Sequence, residues 1–159
     1  MNLLLVIDFQ NEFIDDKNSK AIEEMNSLIK SSKYDDVLFT RFINSYDNPV
    51  YSVANWKGCI TEESIKIPID TGDYKVLDKS TYTAYNSELI EYIKDNQIDN
   101  IYLAGFDIDC CVFTTALNLF ENNYNTYILK DYVYSGVSEE LKETILDILG
   151  RCIGNDYII

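Results

Sequence analysis

The run LLLVID, residues 3–8, consists of five apolar residues followed by an aspartate. An unbroken apolar run of this length is typical of a strand that is buried on both faces of a sheet. Two more segments that we predict as strands, VLFTRF at 37–42 and IYLA at 101–104, lie further along the chain. Helical periodicity separates them, and strands that alternate with helices predict right-handed crossovers and a parallel sheet.

The segments between these runs carry the helical signal. Apolar residues recur at helical spacing in four of them, near 19–29, 86–93, 112–120 and 138–149. We expect the last of these helices to bury Leu141, Ile145, Ile148 and Leu149. Shorter strands are predicted at 74–77, 126–129 and 156–159. No repeat or flexible linker interrupts the pattern, so we expect one α/β domain over residues 1–159, with helices on both faces of a mostly parallel sheet.

Residues 44–73 do not fit this alternation. They contain both prolines, the only tryptophan (Trp56) and no clear apolar period. A connection of about 30 residues without secondary structure is unusual in a compact domain and is more often functional than idle. We therefore predict an irregular segment that could serve a site or an interface between copies of the chain.

The net charge of the chain limits the classes of molecule that it can bind. The 159 residues include 27 acidic and 13 basic side chains, which give a formal net charge of −14. Such a surface repels phosphate backbones and anionic headgroups, so we expect a small-molecule substrate and neither nucleic-acid nor membrane-surface binding. The chain also has no histidine, which excludes Ser-His-Asp and Cys-His hydrolysis and histidine-ligated zinc. Any chemistry must come from Cys, Lys, Asp, Glu, Tyr or a cofactor.

Four cysteines are present, at positions 59, 110, 111 and 152. They form no C-x-x-C pair, and they are too few for a disulfide scaffold in a chain of this length. The apolar run at 3–7 is too short for a signal peptide, and no stretch approaches the roughly 20 apolar residues of a membrane span. We therefore expect a cytoplasmic protein with free thiols.

Three residues that can carry chemistry follow predicted strands. Asp8 follows the first strand, Lys79 the strand near 75, and Cys111 the strand near 101. Ligands of open α/β sheets collect beyond the carboxyl ends of the strands, so we expect these side chains to meet. Cys111 would also open a helix, where backbone amides and a neighbouring ammonium would lower the pKa of its thiol. The amides of residues 106–111 could then hold an oxyanion.

Each of these residues also has an ordinary structural interpretation. A cysteine at the start of an apolar helix is usually a small buried hydrophobe. An aspartate after a strand is commonly a turn or cap residue, and a single lysine is commonly a solvated surface charge. Only their shared position at strand ends favours a catalytic hypothesis, in which Asp8 accepts the thiol proton of Cys111.

Three motifs in order give the chain a resemblance to a known family. They are Asp8-Phe9-Gln10 followed by Phe13, then Lys79-Ser80-Thr81-Tyr82-Thr83-Ala84-Tyr85, then Gly105 through Cys111-Val112 with Thr115-Ala116. With these motifs the chain resembles, over nearly its whole length, the isochorismatase-like cysteine hydrolases, which include nicotinamidases and N-carbamoylsarcosine amidohydrolases. The resemblance implies a doubly wound α/β fold.

The resemblance also implies a mechanism. Asp8, Lys79 and Cys111 would form a catalytic triad that hydrolyses a small amide or related C–N substrate through a thioester, with no cofactor. A cis peptide bond between Phe106 and Asp107 would turn the backbone amides of Asp107 and Cys111 toward the oxyanion. The cysteine favours C–N hydrolysis, because the members that cleave the vinyl ether of isochorismate work without it.

Two departures from the family pattern concern the substrate. Nicotinamidases bind a metal through an aspartate and histidines, and a chain without histidine cannot build that site, so we expect no metal. The sequence Trp56-Lys57-Gly58-Cys59 replaces the histidine-cysteine pair that follows the tryptophan in many members. Phe13, Trp56 and Tyr82 are predicted to form the walls of a pocket for a small, flat or apolar substrate.

Two other functions stay open at this point. The chain could be a catalytically idle family member that acts as a binding module. It could also be a thiol redox sensor in which Cys110 and Cys111 form a vicinal disulfide, although such rings are rare. Relatives are often oligomeric, so a homo-oligomer is also compatible with the resemblance.

Overall fold

A computed structural model describes residues 1–159. Its strands are β1 (Asn2–Ile7), β2 (Asp36–Phe42), β3 (Val76–Lys79), β4 (Asn100–Gly105) and β5 (Asn125–Val133). Its α-helices are α1 (Lys20–Lys30), α2 (Pro49–Ser52), α3 (Glu62–Ile65), α4 (Ser87–Asp95), α5 (Phe113–Glu121) and α6 (Glu139–Ile153). The strands form one sheet in the order β3-β2-β1-β4-β5, and every neighbouring pair is parallel.

β1 occupies the centre of the sheet because its side chains are apolar on both faces. Leu3, Leu5 and Ile7 belong to one core cluster, whereas Leu4 and Val6 belong to the cluster on the opposite face. All five side chains are fully buried. Residues of α4, α5 and α6 cover the first face, and residues of α1 cover the second. The predicted α/β class, a parallel sheet with helices on both faces, is therefore confirmed.

The strand order reverses between β1 and β4. From β1 the chain proceeds through β2 to β3 on one side, and it then returns to form β4 and β5 on the other. At such a reversal the connections leave neighbouring strands in opposite directions and open a crevice at their carboxyl ends. The residues that follow β1 and β4 therefore lie at the same crevice.

Gly105 lets β4 approach β1 closely at this edge. It ends β4 with a φ of +109°, and a Cβ at this position would overlap the carbonyl oxygen of Ile7. Ile7 is paired with Gly105 in the sheet, and the amide of Phe106 donates to the same carbonyl at 2.9 Å. Only glycine fits both this backbone conformation and this space.

Two of the predicted strands differ in the structure. The third strand begins at Val76 rather than Tyr74, because the Tyr74 amide donates to the carbonyl of Thr71 and closes a turn there. The end of the chain forms a 3₁₀ turn at Asn155–Tyr157, and Ile158 alone makes a bridge to β5. In both places a local turn uses amides that a longer strand would have paired.

The last helix also differs from its prediction. Of the four residues expected in its core face, only Leu149 is buried, and the other three are half-buried. The helix continues to Ile153, and it turns a different face toward the sheet. That face consists of Lys142, Leu146, Leu149, Gly150 and Ile153.

Residues 44–73 contain more regular structure than the sequence predicts. The side chain of Asn48 caps α2 by accepting a hydrogen bond from the Val50 amide. Thr61 and Ser64 form a capping box that begins α3. These capping side chains satisfy amides that a four-residue helix cannot satisfy internally. Across the whole chain, none of the helices has the length and apolar character needed to span a bilayer.

We predict that Gly105→Ala lowers the free energy of unfolding by more than about 3 kcal/mol or prevents folding, because the new methyl group meets the Ile7 carbonyl. Gly72→Ala is the matched control, since Gly72 also has a positive φ, +52°, but has open space around it. That control should lose only about 1 kcal/mol. Urea titration followed by the fluorescence of the single tryptophan measures both, and equal losses would contradict the close approach of β4 to β1.

Candidate active site

Asp8 occupies a tight turn directly after β1. Its side chain is completely buried, and its φ of +44° is a left-handed conformation that few non-glycine residues adopt. Thr40 of β2 holds it there through two hydrogen bonds. The Asp8 amide donates to Thr40 Oγ1 at 3.1 Å, and the Thr40 hydroxyl donates to Asp8 Oδ1 at 2.7 Å. This strained turn aims the carboxylate across the end of the sheet.

Lys79 ends β3 and reaches the same point from the other side of β2. Its Nζ lies 2.7 Å from Asp8 Oδ2, and the two side chains are 2% and 0% exposed. The ammonium also donates to the carbonyl oxygens of Thr81 at 2.8 Å and Tyr82 at 3.1 Å. Asp8 Oδ2 is paired with the Lys79 ammonium, which uses one lone pair of this oxygen. A carboxylate oxygen has a second lone pair, and this one can accept a proton.

Cys111 lies in a π-helical turn, Ile108–Val112, that connects β4 to α5. Burial raises the pKa of its thiol well above the ordinary value, the Asp8 carboxylate raises it further, and the Lys79 ammonium lowers it. The predicted lowering of this pKa is therefore wrong, because burial and the negative charge of Asp8 outweigh the ammonium. Cys111 also precedes α5 rather than opening it. The thiol is protonated at neutral pH and lies within electrostatic reach of both charged side chains.

A cavity of about 510 Å³ opens over the sulfur of Cys111. The three residues predicted as pocket walls, Phe13, Trp56 and Tyr82, all line it. The rings of Phe13 and Trp56 stack with their centroids 5.8 Å apart and an interplanar angle of 8°. Phe13 also stacks on Phe106, with 5.8 Å between centroids, so the wall continues into the core. The volume is within the range of small-molecule sites.

The side chain of Asp107 also lines this cavity, although the sequence analysis considered only its backbone. Its Oδ1 accepts a hydrogen bond of 2.6 Å from the amide of Gly136. Burial raises the pKa of the Asp107 carboxyl to about 6, the Gly136 amide opposes this rise, and the charges of Asp109 and Asp8 add to it. Asp107 is therefore a carboxyl group of the cavity that titrates close to neutral pH.

The peptide bond between Phe106 and Asp107 is trans, as are all others in the chain, so the expected cis bond is wrong. The backbone on both sides is already paired in the trans form. The Phe106 amide donates to Ile7, and the Ile108 amide donates to the Tyr134 carbonyl at 3.0 Å. The Asp107 amide itself donates to no group in the chain, so it is free for a ligand. The oxyanion role of the Asp107 and Cys111 amides stays a prediction.

Two supporting residues were missed or given no role by the sequence analysis. Gln10 accepts from the Phe42 amide at 2.7 Å and donates to the Phe42 carbonyl at 3.0 Å, so its side chain imitates a neighbouring strand at the end of β2. It also donates to the Ile65 carbonyl at 3.2 Å, which anchors residues 44–73 near the cavity. Thr40 was overlooked, although a lone hydroxyl inside the apolar run of β2 is a signal that could have found it.

The residues present do not fit a metal centre. The chain has no histidine, and no group of three or more Cys, Asp or Glu side chains is arranged to hold an ion. All four cysteines are free. Cys152 is exposed, and burial raises the pKa of the half-buried Cys110 to about 11, with Asp109 and Asp107 adding to the rise. Thiolate is therefore scarce at Cys110 at neutral pH.

Comparison with known proteins agrees with the geometry of the site. The model of the isochorismatase domain family matches residues 2–151. The chain is 25% identical over 139 residues to isochorismatase family protein 1A of Dictyostelium discoideum, covering 84% of this chain and 63% of that protein. Across the curated relatives that it matches, the chain spans 36% to 63% of their length.

Solved structures share the fold over nearly the whole chain. An isochorismatase-like hydrolase from Alkaliphilus metalliredigens superposes with a TM-score of 0.84 at 21% identity, covering 95% of this chain and 91% of its own. N-carbamoylsarcosine amidase from Thermoplasma acidophilum superposes with a TM-score of 0.77 at 25% identity, covering 94% and 92%.

We predict that Lys79→Met lowers the free energy of unfolding by about 3–5 kcal/mol, because it leaves the Asp8 carboxylate buried without its counter-ion. Arg41→Met is the control, since Arg41 pairs with Asp78 at 2.7 Å on the surface, with side chains 34% and 52% exposed. The control should lose less than about 1 kcal/mol. Urea titration of both variants checks this, and similar losses would show that burial of the first pair has no special cost.

We predict that Asp107→Asn stabilises the protein more at pH 7.5 than at pH 5.0. The raised pKa, about 6 against an ordinary 3.8, means that the folded state holds the Asp107 proton more tightly than the unfolded state. The free energy of unfolding therefore falls as pH rises through 6, and asparagine abolishes that loss. The difference between variant and wild type should grow by roughly 1 kcal/mol between the two pH values. A pH-independent difference in urea titrations would contradict the raised pKa.

Proposed function

The chain belongs to the isochorismatase family, and on that premise we propose that it is a cysteine hydrolase of small amides or related C–N substrates. The observation that supports the proposal most strongly is the position of Cys111, in the wall of the cavity and beside the buried Asp8–Lys79 ion pair. A carboxylate, an ammonium and a thiol are together sufficient for acyl transfer without histidine.

The first step is attack by sulfur on the substrate carbonyl. Because the Cys111 thiol rests in its protonated form, Asp8 must remove the proton as the S–C bond forms. The acceptor is Asp8 Oδ2, through the lone pair that the Lys79 ammonium does not use. Lys79 does not need to move for this step, since its hydrogen bonds to the Thr81 and Tyr82 carbonyls already hold it against that oxygen.

The tetrahedral intermediate carries a negative oxygen that must be stabilised. In the proposal the backbone amides of Asp107 and Cys111 donate to this oxygen, with the trans peptide bond that the chain has at Phe106–Asp107. The Asp107 amide supports this assignment, because it donates to no group in the chain and can donate to a ligand oxygen. Lys79 contributes positive charge close by.

Collapse of the intermediate breaks the C–N bond. Asp8, now protonated, gives its proton to the leaving nitrogen, and the acyl group stays on Cys111 as a thioester. Asp8 then takes a proton from water as the water oxygen attacks the thioester. The C–S bond breaks, the sulfur recovers its proton from Asp8, and the products are a carboxylic acid and an amine or ammonia.

The surroundings of the thiol suit this chemistry and not a metal-assisted one. Because no residues fit a metal, every proton and charge in the proposed steps is handled by side chains and backbone amides of the chain itself.

A reducing compartment keeps the thiol of such an enzyme active, so we place the protein in the cytoplasm. The aromatic wall formed by Phe13 and Trp56 favours a small substrate with a flat or apolar body.

We predict that Cys111→Ala abolishes amide hydrolysis, because no other group can form the thioester, and that the variant still folds. Cys152→Ala is the matched control, since it removes an exposed cysteine of α6 that lies outside the cavity. It should retain wild-type turnover. Release of ammonia from a panel of small primary amides measures activity, and circular dichroism measures folding. Turnover that survives in folded Cys111→Ala protein would reject the mechanism.

A further inference from the structure

The cavity over Cys111 is acidic. Three carboxylates line it, from Glu12, Asp15 and Asp107, and no lysine or arginine does. Lys79 is the nearest cation in the proposed mechanism, but it is paired with Asp8 and is bound to two carbonyl oxygens. It therefore has no free donor for an anionic group of a substrate. The electrostatic balance inside the cavity is negative.

Asp107 is the least exposed carboxylate of this group. Its Oδ1 is fixed by the Gly136 amide at 2.6 Å, whereas its Oδ2 accepts no hydrogen bond within the chain, and the residue lines the cavity. A Cβ at Gly136 would make a tight contact of 3.2 Å with Asp107 Oδ2, so glycine leaves room for the carboxylate. One oxygen positions the group, and the other is free to accept a hydrogen bond from a ligand.

The carboxyl group of Asp107 also destabilises the fold. Partial burial disfavours its charged form, and the charges of Asp8 and Asp109 disfavour it further. A neutral side chain would avoid this cost. A negative charge that weakens the empty protein and faces the cavity is the arrangement expected when a bound cation compensates it.

The aromatic residues of the cavity are compatible with the same ligand charge. Trp56, whose indole presents the most favourable ring face for cations, lines the cavity together with Phe13 and Tyr82. The chain as a whole carries a net charge of −14, which attracts cationic molecules and repels anionic ones at a distance. The aromatic residues, the carboxylates and the net charge of the chain therefore all favour a positively charged ligand.

We propose that the cavity selects small amides that carry a positive charge, and that the Asp107 carboxylate is the residue that pairs with it. This inference rests on the proposed function for the identity of the scissile bond. What it adds is the charge preference of the site. The substrate would carry a protonated amine or a similar cationic group, and the cavity would hold that group while the amide carbonyl meets Cys111.

The test uses three benzamides that differ only in the para substituent: aminomethyl, which is cationic, hydroxymethyl, which is neutral, and carboxyl, which is anionic. The meta isomers form a second series in case the para distance does not suit the cavity. We expect kcat/KM from ammonia release at pH 7.5 to favour the cation over the neutral amide by about tenfold or more, with the anion last.

The variant Asp107→Asn keeps the shape of the side chain and removes its charge. We expect the cation-to-neutral ratio of kcat/KM to fall at least about fivefold in this variant, mainly through KM for the cation. The neutral amide is an internal reference, so a general loss of activity cancels in the ratio. Asp147→Asn, an exposed change of equal charge on α6, should leave the ratio as in wild type.

A binding measurement separates this inference from the proposed function. Isothermal titration of Cys111→Ala protein with the same benzamides should show tighter binding of the cation, and the double variant with Asp107→Asn should lose that preference. If no amide is hydrolysed by wild type but this selective binding is found, the proposed function fails and the charge preference stands. If amides are hydrolysed, or bound, without preference for the cation, or if none binds, the charge preference is overturned.

Discussion

The ion pair between Asp8 and Lys79 is the interaction on which the site depends. Removal of two charges from water costs several kcal/mol per ion, and the attraction between them compensates only when geometry and hydrogen bonding are good. The fold meets that condition by joining three strand ends: Thr40 of β2 binds one oxygen of the carboxylate, and the carbonyls of Thr81 and Tyr82 bind the ammonium. A displacement of any one strand would leave a charge buried alone. The pair therefore determines the mutual positions of the residues around the cavity.

The state of the thiol follows from the same pair. A single ammonium beside Cys111 would favour the thiolate, but burial disfavours the charged sulfur, and the negative charge of Asp8 disfavours it further. The site thus holds its nucleophile in the neutral form beside a carboxylate base that can accept its proton. Such an arrangement limits unproductive reactions of the sulfur until a substrate carbonyl is present, since thiolate rather than thiol is the reactive species.

The cavity shows the usual conflict between stability and function. Asp8 adopts a left-handed conformation, Asp107 carries a carboxyl group whose charge burial opposes, and Oδ1 of Asp109 is buried without a hydrogen-bond partner. All three follow the carboxyl ends of β1 and β4, whereas β1 itself is apolar on both faces. Energetically unfavourable features that cluster at one edge of an otherwise well-packed sheet are typical of a functional site.

The local sequence pattern was sufficient to predict the parallel sheet and the helices on both of its faces. It also predicted that Asp8, Lys79 and Cys111 follow strands. Apolar periodicity and the ends of strands are properties of neighbouring residues, so they can be recognised without the tertiary structure. The same pattern placed the start of β3 too early, because a turn takes the amide of Tyr74 out of the strand. It also predicted the wrong buried face for α6, which extends to Ile153. The neutral thiol, the trans bond before Asp107 and the acidic cavity required the tertiary structure. Burial, pairing and electric field at a residue depend on groups that are distant in the chain, and only folding brings these together.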